Sequence, residues 1–169
     1  MKVIENIKKA NAAGVVLKKL KSMNGHDGLI WSCDVYLGGI KLGDVLDDGN
    51  GGGLIFGIKA CDVAALATAL KGVDFPLNLE SEWGSIDAPK NDFGYVEWIL
   101  PIIADNLETL KKMKRSASKN TLYVLETDKN PENEYWVVKQ LYSAEFAARL
   151  RAKHGTALTS ILNELIVGL

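Results

Sequence analysis

The sequence predicts an α+β fold in which a small antiparallel sheet, a three-stranded meander plus a separate two-stranded hairpin, packs with about five helices. Three observations carry this expectation. Residues 31–37 alternate apolar and polar and run into Gly38-Gly39, a pair suited to the positive φ angles of a two-residue hairpin turn. Apolar spacings of three and four recur over 60–71 and 95–116, which marks amphipathic helices. The order of elements lacks the strand–helix–strand alternation that builds a parallel sheet.

Each element has its own local reason. From Glu5 to Ser22 the positions Ile7, Ala10, Ala13, Leu17 and Leu20 step by three and four, which predicts one helix with a narrow buried stripe, closed by Asn24-Gly25. Trp31, Cys33, Val35 and Leu37 then share one strand face, and Ile40 and Leu42 open the returning strand. A second return through residues 47–53 leads into Leu54–Ile58 and completes the meander. Val63, Leu66, Ala67 and Leu70 form the face of a helix from Ala60 to Lys71. Residues 73–93, with Pro76 and Pro89, show no sustained period and read as a long irregular loop.

A helix is expected from Tyr95 to Ser116, with Pro101 either kinking it or marking a later start. Strands at Thr121–Thr127 and Glu134–Leu141 form the separate hairpin. Ser143 caps a helix from Ala144 to Lys153 that stops at Gly155, and Thr156 caps a last helix bearing Leu158, Ile161, Leu162, Leu165 and Ile166.

The 169 residues, 47% apolar and 24% charged, suit a single domain spanning 1–169 that buries roughly 70% of its unfolded surface without a metal or disulfide. Twenty basic and 21 acidic side chains leave a net charge of −1, which argues against a dedicated nucleic-acid or anionic-membrane binder. Cys33 and Cys61 read as buried free thiols. No apolar run suits a secretory leader or a membrane span, so a cytoplasmic setting is expected. The apolar end Ile166-Val167-Gly168-Leu169 offers a face for a homo-oligomer.

Gly49-Asn50-Gly51-Gly52-Gly53 lacks the one-three-six glycine spacing of a dinucleotide loop and enters a strand, not a helix. A tight hairpin explains it better, with a small nucleotide on Gly49, Asn50 and Gly51 as the functional alternative. The same stretch fails as a calcium loop, because Leu46 and Ile55 stand where oxygen ligands are required. His26 and His154 have no second ligand at metal-site spacing, so neither a metal nor a cofactor is expected.

Clustered acids at Asp44, Asp47 and Asp48, and at Glu80, Glu82 and Asp87, leave a carboxylate-dependent hydrolase as a remote reading. Lys18-Lys19-Lys21 and Lys111-Lys112-Lys114-Arg115 read as solvated faces, and Tyr123, Tyr135 and Trp136 as packing residues on strands. The loop at 73–93 carries Phe75, Leu77, Leu79, Trp83 and Ile86, more large apolar side chains than a solvated linker needs. These side chains either pack on the protein's own core or anchor a partner, and Trp83, with Glu80 and Glu82 beside it, is the expected binding surface in the second case.

Trp31–Gly39 through Asp48–Gly52, together with Thr121–Val124, Tyr135–Lys139, Tyr142-Ser143 and Leu162–Glu164, resembles a group of small, uncharacterised phage- and prophage-encoded proteins. The resemblance brings no activity and assigns no catalytic residue. It implies an accessory protein of a mobile element, and such proteins bind and block host components or sequester small molecules. The first expectation is thus a non-enzymatic inhibitor of a host defence protein. A nucleotide-signal binding protein is the second expectation, and the hydrolase is the third.

Overall fold

A computed structural model describes residues 1–25, 29–77, 80–81, 84–85, 87–128 and 134–169. The fold is α+β, with antiparallel sheets and five α-helices among these residues. The chain separates into two compact units, one of residues 8–105 and the other of residues 1–7 with 106–169. None of the described helices is long and apolar enough to cross a membrane.

The unit of residues 8–105 is built on a four-stranded sheet. The helix α1, Lys2–Ala12, gives way to strand β1, Val15–Asn24, where one helix from Glu5 to Ser22 was expected. Gly14 causes the break: its φ of +73° is a left-handed conformation that ends a helix at little cost. Its carbonyl accepts the Gly38 amide at 2.9 Å, so the chain is already pairing with the next hairpin. The three-and-four spacing was misleading because Val15 and Leu17 alternate with the exposed Val16 and Lys18, and a bulge between Lys18 and Lys21 then shifts the pattern.

β1 pairs with β2, Leu29–Leu37, which turns through Gly38-Gly39 into β3, Ile40–Asp47. Both turn glycines have positive φ, +56° and +86°, as a two-residue hairpin of this kind demands. β4 is only Ile55–Phe56, so the sheet is a four-stranded meander in the order β1-β2-β3-β4. Trp31, Cys33, Val35 and Val45 are buried, as are Val15 and Leu17. The helix α2, Ala60–Gly72, buries the expected Val63, Leu66, Ala67 and Leu70. Cys61 is exposed, correcting its reading as a buried thiol, because it lies in the first turn of α2 off that apolar stripe.

Two short strands, β5 (Glu80–Ser81) and β6 (Gly84–Ser85), pair antiparallel within the segment read as an irregular loop. Phe75 is buried there and so belongs to the core. The helix α3, Asp92–Ala117, starts earlier than expected and carries Pro101 in its interior, not in its first turn. Proline has no amide hydrogen, so the Glu97 carbonyl loses its usual donor four residues on.

The other unit centres on β7, Thr121–Leu125, with Leu122, Tyr123 and Val124 all buried. Such a strand needs a hydrogen-bonding partner on each side. One is β8, Trp136–Val138; the second is β9, Leu158–Ile161, so the sheet order is β8-β7-β9. This corrects two expectations, the isolated hairpin and the single C-terminal helix. Residues 158–161 are extended because β7 offers them a ladder, and only α5, Leu162–Leu165, is helical after them.

Between β8 and β9 the helix α4, Ala144–His154, is capped by Ser143, whose hydroxyl accepts the Phe146 amide at 3.1 Å. It ends at Gly155 with φ +54°, and a 3-10 turn, Gly155–Ala157, leads into β9. Val3, Ile4, Ile7, Leu110, Met113, Leu122, Val124, Leu162 and Ile166 pack as one cluster of this unit. Ile166 is thereby core, while Val167 stays exposed.

Buried Asn163 ties these segments together. Its Oδ1 accepts the Leu122 amide at 2.7 Å, and its Nδ2 donates to the Ala117 and Asn120 carbonyls at 3.2 and 3.0 Å. One side chain therefore satisfies backbone groups at the end of α3, in the following turn and in β7.

Candidate functional site

The glycine-rich turn after β3 is organised by its own acids. Asp47 Oδ1 accepts the Gly49 amide at 2.9 Å, and Asp48 Oδ1 accepts the Asn50 amide at 3.1 Å. Gly49 and Gly51 both have φ near +70°, at +71° and +72°. Asp47 Oδ2 also accepts the Trp31 indole N–H at 3.1 Å, which fixes the turn to the sheet. Farther on, Glu97 Oε1 accepts the Leu54 amide at 3.0 Å, and a side chain on Gly53 would run into the same carboxylate. The amides of Gly49 and Asn50 thus face carboxylates, an arrangement that repels a phosphate. Asp47 and Asp48 both act as acceptors within the turn.

The polar face of the four-stranded sheet holds a second charged group. Asp34, 9% exposed, meets Lys19 Nζ at 2.9 Å and Lys41 Nζ at 2.7 Å. Hydrogen bonds from Lys19 and then Lys41 hold its carboxyl below the usual carboxylate range. Lys19 reaches it from the bulge with φ +54°, and Lys18 Nζ lies 4.3 Å from the centre of the Tyr36 ring. The neighbouring Cys33 thiol is pushed up to about 12 by burial, with the Asp34 and Asp44 carboxylates adding to the effect. Burial, the largest cause, disfavours the thiolate form of Cys33.

The expected surface in the 73–93 segment falls largely outside the described residues. Glu80 belongs to β5, but its side chain, together with Glu82 and Trp83 as whole residues, lies outside the description, as do His26, Leu79 and Ile86. Asp87 is exposed.

The concave features of the β7–β9 unit include two that its described residues line. A groove of about 570 Å3 is lined by Thr156 of the 3-10 turn, by Thr159 and Ser160 of β9, and by Arg151 and Glu164. Arg151 Nη2 donates to both Glu164 oxygens at 2.8 and 2.7 Å, and the Tyr142 hydroxyl donates to Oε1 at 2.9 Å. That hydrogen bond to Glu164 raises the Tyr142 pKa. The Arg151 charge is therefore already matched within the protein.

The second feature is a cleft of about 430 Å3 lined by Asp128, Glu134, Tyr135 and Trp136. Asp128 closes the turn after β7, its Oδ2 accepting the Leu125 amide at 2.9 Å. Its Oδ1 accepts the Trp136 indole N–H at 2.7 Å and so orients that ring. Trp136 is 51% exposed, against its expected role as a packing residue, whereas Tyr123 on the central strand is buried as expected. Val137 and Leu141 are exposed as well, Leu141 to 63%. β8 is an outer strand of its sheet, as is β9, among the described residues. A sequence signal for this site existed in the spacing of Asp128, Glu134, Tyr135 and Trp136 around one hairpin, but aromatics on a strand are read as core unless its partners are known.

No group of three or more His, Cys, Asp or Glu residues is placed to hold a metal ion among the described residues. The chain gave no match when compared with protein-family models, with curated proteins and with solved structures.

Proposed function

We propose that this protein is a non-enzymatic binding protein that recognises a host protein through the Trp136 edge of its second sheet. The observation carrying this reading is an outer strand that leaves Trp136 and Val137 half exposed, beside an exposed Leu141. Exposed apolar side chains on an outer strand are an aggregation liability that natural sheets avoid unless a partner covers them. Tryptophan is also favoured at the energetic centre of interfaces. Inhibition of a host defence component, in the bacterial cytoplasm, follows from the resemblance to phage and prophage proteins and is part of the same proposal. A nucleotide ligand on Gly49–Gly51 is disfavoured because Asp47 and Asp48 occupy the amides of Gly49 and Asn50.

The test compares wild type with Trp136→Ala as bait in bacterial lysate. A single protein retained by wild type and lost by the variant, with melting temperatures within about 3 °C, supports the reading. Equal retention by both removes this edge as the recognition surface.

A further inference from the structure

The chain holds two Asn-Gly pairs, Asn24-Gly25 and Asn50-Gly51. An asparagine before glycine is open to attack on its side-chain carbonyl by the next backbone nitrogen, because glycine has no Cβ to obstruct the closing ring. The fold treats the two pairs differently. Asn24 lies in the β1–β2 ladder opposite Leu29. Asn50 is exposed in the turn after β3, and neither its side chain nor the Gly51 amide has a hydrogen-bond partner among the described residues. Gly51 has a φ of +72°, and nothing stands within 4 Å of where a Cβ would be. The adjoining Asp48-Gly49 pair, whose carboxyl group could close the same ring, is held. Gly49 is buried with its amide given to Asp47, and Asp48 Oδ1 accepts the Asn50 amide.

We infer that Asn50 is a modification site, deamidated spontaneously with water as the co-reactant in the folded protein. The Gly51 nitrogen gives its proton to water and forms a bond to Asn50 Cγ. The Cγ–Nδ2 bond breaks, and ammonia leaves with a proton returned by water. Water then adds to either carbonyl carbon of the five-membered succinimide and breaks its bond to nitrogen, leaving aspartate or isoaspartate at position 50. Nothing is oxidised or reduced. Either product places a third carboxylate on a turn that already carries Asp47 and Asp48. Isoaspartate also lengthens the backbone of the turn by a methylene.

The test incubates the whole protein at mildly alkaline pH, in buffer and in urea, and follows both asparagines by peptide mass spectrometry. Asn50 should react in buffer within about 3-fold of its rate in urea, since no local opening has to precede attack. Asn24 should be slowed about 10-fold by folding, equivalent to an opening cost of about 1.4 kcal/mol, because it must first leave the ladder. The intact protein should meanwhile gain an acidic form on anion exchange, and Asn50→Ser, at an exposed side chain, should remove it. Folding that slows Asn50 as much as Asn24 overturns the inference. So does an acidic form that persists in Asn50→Ser.

Discussion

The two main sheets solve the same problem in different ways. In β1–β4 every strand pairs with its neighbour in the chain, and turns such as Gly38-Gly39 and 48–54 set the register. In β8-β7-β9 the central strand takes one partner from its own hairpin and the other from beyond α4. Turn glycines and acids hold the first sheet, whereas the second depends on one buried amide, Asn163, that gathers distant backbone groups. Local pairing leaves a periodic trace in the sequence. Pairing across a helix leaves none, because the partner strand is chosen by the edge it must cover.

Four substitutions probe this contrast. The largest effect should come from Asn163→Ala, which strands the Leu122 amide and the Ala117 and Asn120 carbonyls. The Leu122 amide is left fully buried and the two carbonyls partly buried, so a loss of about 3 kcal/mol is expected in urea unfolding. A loss under about 1 kcal/mol would mean that Asn163 is not the tie of the second sheet.

Next is Gly43→Ala in the first sheet, where a methyl group would run into the Gly57 carbonyl. Because the Gly57 amide donates a hydrogen bond to the Asp44 carbonyl at 2.8 Å, the β3–β4 approach must open, at a cost of about 2 kcal/mol. Gly39→Ala should cost less, about 1 kcal/mol, since nothing crowds that position and only its φ of +86° resists a side chain. Equal losses at Gly43 and Gly39 would show that conformation, not close approach, governs both sites.

The smallest effect is a change in pH dependence. Lys19 and Lys41 lower the folded-state pKa of Asp34 below its unfolded value. The ion pairs therefore contribute stability above the ordinary carboxylate pKa of about 3.9, and lose it as pH falls through the lowered folded value. Melting temperature followed from about pH 5 down to about pH 2 should fall less steeply in Asp34→Asn than in wild type. Identical acid limbs would show that the lysines add nothing there. The exposed Lys19, at 74%, is strongly screened and keeps the expected change small.

What was legible in the sequence follows the reach of each interaction. The hairpin at Gly38-Gly39, the buried stripe of α2, the Ser143 cap and the Gly155 stop were all readable, since each depends on residues within a few positions of one another. The turn at Gly49–Gly51 was readable as a turn, its acids lying within two residues of the amides they accept.

The extended course of Val15–Asn24 and of Leu158–Ile161 was decided by tertiary structure. Both segments carry apolar residues at spacings that suit a helix. Each became a strand because β2 and β7 presented unpaired backbone edges whose burial without a partner would cost more than the local helical preference is worth. The site followed the same division. Trp136 has the sequence of a packing residue, and only the position of β8 at the outside of its sheet, with Asp128 holding the indole, makes it a surface. Amino-acid pattern determines what a segment is able to bury; the strand lying next to it determines whether that face is buried at all.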